Sequence, residues 1–208
     1  MANTEPFELY SSEYDKWFID NSRKYYLELS TLKPMVPPGQ TGLEIGVGTG
    51  RFAAPLGIKT GVEPSAGMTV RARETGIIVI RGVAENLPLR DRCFDFVLMV
   101  TTICFVDDLR KSFREASRVL RSHGYIIIGF IDSDSVLGKK YLKRKSESKF
   151  YSAARFYSTA EVINLLEESG FSDFKIRYGV FQEDKVDLTR IFPEKGSFVA
   201  IKACKRLQ

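Results

Sequence analysis

Thr41–Phe52 reads TGLEIGVGTGRF: a short apolar run, then Gly46, Gly48 and Gly50 at alternate positions, then the opening of a short helix. Glycines placed directly behind a strand let the backbone turn sharply and approach a ligand. The following helix start offers free N–H groups to it. In a doubly wound sheet this first strand-to-helix turn lies at the switch point where ligands bind. The spacing is G-x-G-x-G, and the third glycine of a dinucleotide fingerprint would fall on Arg51. A nicotinamide cofactor is therefore disfavoured.

Outward from this turn, the pattern alternates. Runs rich in β-formers at 42–46, 58–63, 77–81, 94–100 and 124–131 are separated by helical or loop segments at 50–56, 65–75 and 107–121. Strand and helix repeated in this way predict a parallel sheet with right-handed crossovers. The best helix, Asp108–Arg121, opens on carboxylates and closes near Arg118 and Arg121, matching the macrodipole. Ser158-Thr159-Ala160-Glu161 is a capping-box pattern heading a helix to Ser169, ended by Gly170. Strands near 173–181 and 196–203 predict an antiparallel pair on the sheet edge. Upstream, Tyr10, Tyr14, Trp17, Phe18, Tyr25 and Leu29 recur at near-helical spacing, which predicts one or two helices ending at the prolines of KPMVPPGQ.

Composition narrows the function classes. The chain has 208 residues, 44% of them hydrophobic and 27% charged, which excludes a disordered or fibrous protein. Its net charge of +5 is local: KKYLKRKSESK at 139–149 holds six Lys or Arg against Glu147, so the rest sums to zero. A uniformly basic surface coating nucleic acid is disfavoured. The apolar runs Phe94–Val100 and Tyr125–Ile131 fall far short of the roughly 20 residues a membrane helix needs. MANTEPFELY has neither a basic n-region nor an apolar h-region, so a cytoplasmic location is expected. Cys93, Cys104 and Cys204 are far apart and His123 is the single histidine, so neither a disulfide framework nor a metal site is expected.

The second strand ends IKTGVEP, which puts Glu63 at a strand C-terminus, 17 residues after Gly46, where it can accept hydrogen bonds from two ribose hydroxyls. Then come Gly82-Val83-Ala84-Glu85-Asn86-Leu87-Pro88, Phe94-Asp95-Phe96-Val97 and Arg118-Val119-Leu120-Arg121, in that order. Taken together, from Leu43 to about Ile131, these motifs resemble the class I S-adenosylmethionine-dependent methyltransferases, especially the branch typified by ubiquinone and menaquinone biosynthesis enzymes. A fainter echo lies in Phe156–Phe171. The resemblance implies an α/β, doubly wound, Rossmann-like fold: a seven-stranded, mostly parallel sheet with an antiparallel edge strand and an N-terminal helical cover. It also implies a single domain, with 1–38 as the cover, 39–131 as the cofactor-binding core, 132–157 as a lid-like connection and 158–208 as a C-terminal helix and strand pair.

What the resemblance implies for the site is specific. S-adenosyl-L-methionine is the expected cofactor, leaving as S-adenosyl-L-homocysteine, with no metal. Gly46 and Gly48 approach its methionine part, with Glu44 nearby and Gly50 counted with the cofactor-binding turn, and Glu63 takes the ribose. Pro64, Ser65 and Met68 line the ribose and adenine, Ala84 offers an N–H to the adenine ring, and Thr101 brings its carbonyl to the amino acid moiety. Tyr14 and Trp17 are read as part of a lid over the sulfonium, against the alternative of ordinary helix packing. Two positions depart from the family pattern. Val83 replaces a common acidic residue, for which Glu85 is the stand-in, and Ile103-Cys104-Phe105-Val106 replaces a common histidine pair.

The expected chemistry is methyl transfer to a small molecule, with an amine in view. Without a placed histidine, a hydroxyl or carbon acceptor calls for another base, and the candidates are Asp132 and Asp134, just beyond the fifth strand, or a tyrosine from 141–157, with Asp132 carried as the site residue. Cys104 is read as buried and unreactive, and His123 as a surface residue away from the ligand side. The basic 139–149 segment is read either as a steering patch for an anionic acceptor or as a solvated face. Val186, Leu188, Ile191 and Phe192 are read as an apolar wall of the acceptor pocket. Two other functions stay open from the sequence: an RNA or protein methyltransferase docking through 139–149, and a non-catalytic protein that binds the cofactor.

Overall fold

The computed structural model describes residues 4–179 and 196–206. In chain order the elements are α1 (Glu5–Leu9), α2 (Ser11–Asp20), α3 (Ser22–Leu32), β1 (Gly42–Ile45), β2 (Thr60–Glu63), α4 (Ala66–Glu74), β3 (Ile78–Arg81), β4 (Phe94–Val100), α5 (Leu109–Val119), β5 (Leu120–Ile131), α6 (Val136–Lys143), α7 (Thr159–Glu168), β6 (Phe171–Gly179) and β7 (Phe198–Lys205). The sheet order is β3-β2-β1-β4-β5-β7-β6. The pairs from β3 to β5 are parallel, and β7 runs antiparallel to both β5 and β6. The antiparallel pair thus lies at the edge, with β7 inside and β6 outermost. The strand order reverses between β1 and β4, which puts a crevice at their C-terminal ends.

Alternation along the central strands divides the core into two layers. Val97 and Met99 of β4 face one side with Ile126 and Ile128 of β5, where Phe113 of α5 and Leu166 of α7 cover them. Phe96 and Leu98 face the other side with Ile127, beneath Leu32 of α3 and Ala72 of α4. A period of two in each strand requires this division, since neighbouring side chains point to opposite faces.

Local signals set most element ends. The Asp108 carboxylate accepts from Lys111 N at 2.9 Å at the head of α5. Ser158 and Glu161 form the reciprocal capping box of α7, and Gly170 follows at φ +89°. Three details differ from the sequence reading. The N-terminal cover is three helices, broken at Tyr10 and Asn21. Residues 51–57 form a run of turns, because Pro55 has no N–H to donate and Gly50 and Gly57 hold left-handed φ values. The Arg121–Gly124 stretch belongs to β5 as a bulge: the partners of Phe94 and Phe96 jump from Leu120 to Tyr125. His123 is exposed in that bulge, at the strand end opposite the crevice. No helix among the described residues is long and apolar enough to cross a membrane.

Candidate active site

The crevice at the ends of β1, β2 and β4 is a cleft of about 680 Å³, open mouth included. Glu63, at the last position of β2, organises it. Its Oε2 accepts from Gly48 N at 2.8 Å and its Oε1 from Ser65 N at 2.9 Å, so one carboxylate ties the glycine turn to the start of α4. Burial pushes this carboxyl up, and the two backbone N–H groups pull it back down. Gly46 is at φ +70°, and a Cβ there would come within 2.5 Å of Thr102 Cγ2. Thr101 holds φ +50°, rare for a β-branched residue, while its N–H donates to Gly129 O at 2.7 Å. Strain of this kind concentrates at ligand sites.

The N-terminal helices are fastened over the cleft. Glu8 accepts from Ala66 N and Gly67 N at 2.6 and 3.0 Å, capping α4 from another element. Asp15 accepts from Thr49 Oγ1 and from both Nε and Nη2 of Arg51. Both carboxyls are held below the usual range, Glu8 chiefly by Gly67 N–H and Asp15 chiefly by Arg51.

Tyr14 closes the inner wall of the cleft, its ring 3.7 Å from where a Gly48 Cβ would stand. Burial pushes its phenol up, with Glu63, Glu44 and Glu28 adding to the shift, so it remains a neutral hydrogen-bond donor. Behind it lies a second chamber of about 630 Å³, open mouth included. The two compartments share Phe7, Tyr14, Thr101 and Phe105 as their common wall. The chamber is walled by aromatic rings, among them Trp17, Phe52, Tyr141 and Tyr151, and holds one carboxylate, Glu28.

Comparison with a crystal structure decides the family. A Thermotoga maritima protein, described as an S-adenosylmethionine-dependent methyltransferase and possible histamine N-methyltransferase, superimposes with a TM-score of 0.90 at 46% identity, over 98% of this chain and 100% of that one. The chain belongs to the S-adenosylmethionine-dependent methyltransferases. Residues 43–128 match the family model for the methyltransferase domain. An uncharacterized protein of Methanocaldococcus jannaschii is 48% identical over 96% of this chain and 98% of its own. The demethylmenaquinone methyltransferase of Staphylococcus haemolyticus is 26% identical over 82% of this chain and 86% of its own.

Within this methyltransferase, Tyr14, Gly46, Gly48, Glu63, Pro64, Met68, Ala84, Glu85 and Thr101 all line the cleft. Four residues named with them from sequence stand back from it. Glu44 is buried beneath the glycine turn, beside the backbone N–H of Ala53. Its Oε2 has no hydrogen-bond partner among the described residues, and burial raises the carboxyl well above its ordinary range. Gly50 packs under the α4–β3 turn, where a Cβ would meet Ile77 and Thr75 at 2.7 Å. Ser65 is buried and caps α4, its Oγ accepting from Met68 N at 3.2 Å. Trp17 lines the second chamber instead. Glu85 reaches the cleft, but its Oε1 accepts from Asp107 N at 2.7 Å and from Asp108 N at 3.3 Å, so it holds the loop after β4.

Asp132, the candidate base, stands apart from the cleft. It lines neither compartment, and both oxygens are engaged: Oδ1 with Asp134 N at 2.8 Å, Oδ2 with Thr159 Oγ1 at 2.5 Å and Thr159 N at 3.3 Å. It joins the end of β5 to the start of α7. Cys104 donates to Thr101 O at 3.0 Å and desolvation pushes its thiol up to about 12, which leaves it protonated. Among the described residues no group of three or more His, Cys, Asp or Glu converges as a metal site requires.

The basic segment has two faces. Lys139, Lys143 and Arg144 are exposed, whereas Tyr141 points into the chamber. Arg144 pairs with Glu147 at 3.0 Å, and Lys149 pairs with Glu13 of α2 at 2.9 Å and stands over the Tyr10 ring. Part of the charge therefore fastens this connection to the N-terminal cover. Val186, Leu188, Ile191 and Phe192 lie outside the described residues.

Sequence reasoning missed Glu28, Phe7 and Phe105. Only for Glu28 was there a signal: a carboxylate on the apolar face of α3, among Tyr25, Leu29 and Leu32, where the helical pattern calls for a hydrophobe.

Proposed function

We propose that this methyltransferase moves the methyl group of S-adenosylmethionine to a small-molecule acceptor, best matched by an amine, through in-line displacement. The carrying observation is the pair of adjoining compartments. A cleft built around Glu63 and the glycine turn meets, across Tyr14 and Thr101, a chamber walled by aromatic rings and bordered by one buried carboxylate, the lining expected of a small-molecule site.

The residues present fit the cofactor. Glu63 is the acceptor suited to a ribose diol, Met68, Val83 and Ala84 provide an apolar seat for a purine, and Gly46 admits an approach that a Cβ would block. S-adenosylmethionine, when bound, supplies an electrophilic methyl on a sulfonium. The neutral Tyr14 ring lines the cleft and would favour such a cation by about 0.5–2 kcal/mol. The N-terminal cover excludes water, and alignment of two held reactants supplies roughly 7–11 kcal/mol. In this reading the chain works as one domain: 1–38 form the cover, 39–131 the cofactor-binding core, 132–157 the lid-like connection and 158–208 the C-terminal helix and strand pair. The Thermotoga protein's description supports an amine as acceptor.

Calorimetry with S-adenosylmethionine and S-adenosylhomocysteine is the first test, and absence of binding sinks the proposal. A methyl-transfer screen across amines, phenols and short RNAs then fixes the acceptor class. Transfer to RNA, lost with rising salt and on neutralising Lys143, Arg144 and Lys145, would replace the small-molecule reading.

A further inference from the structure

Glu28 occupies the buried face of α3 between Leu27, Thr31 and Leu32, at 6% exposure. No hydrogen bond or salt bridge reaches its carboxyl from the described residues, and it borders the aromatic chamber. An ionised carboxylate in such surroundings costs several kcal/mol unless a partner compensates it. Natural chains retain residues of this kind at functional sites. A cation that also hydrogen-bonds would supply that compensation.

The rings around it suit the same ligand. Phe105 and Tyr151 are stacked at 5.8 Å and 20°, and Tyr151 and Tyr141 at 5.6 Å and 24°, so three near-parallel rings line one wall. Such a wall takes a flat aromatic body, and ring faces also attract an ammonium.

Resting on the methyltransferase reading above, we propose that Glu28 anchors the acceptor's ammonium and takes its proton, making the chamber a site for a small primary or secondary amine on an aromatic body. The nitrogen passes one proton to a Glu28 oxygen. Its freed lone pair forms the bond to the transferred methyl while the carbon–sulfur bond breaks and leaves its electron pair on sulfur. The positive charge ends on the methylated nitrogen, and Glu28 ends as a neutral acid. Burial pushes Glu28 up to about 8, with Lys24 as the opposing charge, which brings it near an amine and makes the proton exchange close to balanced. The other titratable groups that feel it are Tyr14, Tyr25, Tyr141 and Tyr151, all raised and therefore neutral.

The experiment is calorimetric titration of the full chain, saturated with S-adenosylhomocysteine, by 2-phenylethylamine, tyramine and histamine, with 2-phenylethanol as the neutral isostere. At least one amine is expected to bind about 10-fold or more tighter than the alcohol. Glu28→Gln should remove that preference while changing the affinity for S-adenosylhomocysteine by less than about twofold. Should Glu28→Gln fail to fold, Glu28→Asp keeps the charge, retracts it by one methylene and should give a partial loss. Equal amine affinity in wild type and variant, or an alcohol bound as tightly as every amine, overturns the proposal while cofactor binding persists. Loss of S-adenosylhomocysteine binding by the wild type overturns the cofactor reading, and this proposal with it.

Discussion

Arg51, at the end of the glycine turn, donates from Nε and Nη2 to the two carboxylate oxygens of Asp15 on α2, at 2.7 and 2.5 Å. The pair joins the N-terminal cover to the loop that forms the cleft floor, and Thr49 Oγ1 adds a third bond to the same carboxylate. Bidentate charge-assisted pairs fix geometry as well as energy. Asp15→Asn is expected to cost about 1 kcal/mol, discounted for its partial exposure, and to weaken S-adenosylhomocysteine binding several-fold. Arg51 holds the Asp15 carboxyl below its unfolded value, so the stabilisation is present above about pH 4 and lost as pH falls through the folded pKa. Thermal melts of both proteins at pH 7 and pH 3 check this: the gap should close in acid.

Glu63 uses both oxygens, one on Gly48 N and one on Ser65 N. An amide has a single acceptor oxygen, so Glu63→Gln leaves one N–H facing an NH2 group. The expected result is a loss of about 1–3 kcal/mol in stability and at least 10-fold in cofactor affinity, read by chemical denaturation and calorimetry. Unchanged affinity would remove Glu63 from the cofactor site.

Gly46 and Gly48 separate two costs. Ala at position 46 would combine a left-handed φ with a contact 2.5 Å from Thr102 Cγ2, whereas at position 48 the nearest atom is 3.7 Å away. Gly46→Ala should cost about 2–4 kcal/mol and Gly48→Ala about 1–2 kcal/mol. A urea series on both variants tests the order.

Asp132→Asn should leave turnover with the true acceptor intact and lower stability by about 1–2 kcal/mol, because Asp132 ties Thr159 at the head of α7. A large fall in turnover at unchanged cofactor affinity would return it to the catalytic list.

Glu28 gives a pH dependence of opposite sign to Asp15. With its folded pKa raised to about 8, the unfolded chain loses the proton first as pH rises, and stability declines across the interval from about 4.5 to 8. Glu28→Gln does not titrate. Its stability should gain on the wild type by up to about 1.4 kcal/mol per pH unit through that window, then stay parallel above it. Melting temperatures from pH 5 to 9 without ligand measure the difference.

The sheet and the cleft were legible because their signals are short-range. G-x-G-x-G, the terminal Glu63, the Asp108 cap and the Ser158–Glu161 capping box each act within a few residues, and the strand pattern needs only a period of two. The turns at 51–57 and the bulge at Arg121–Gly124 were not, since Pro55 and a register jump against β4 outweigh local propensity there. The roles of Glu28 and Asp132 were invisible for a stronger reason. Asp132 resembles a base by its place after β5, and its second oxygen is taken by Thr159, 27 residues on. Glu28 resembles a misplaced charge on an amphipathic helix until α2, α6 and the loop carrying Tyr151 surround it with rings. The sequence alone determined the fold class and the glycine-turn cleft at the ends of β1, β2 and β4. Tertiary structure decided the aromatic chamber beside it, because burial and shared walls arise from segments far apart in the chain.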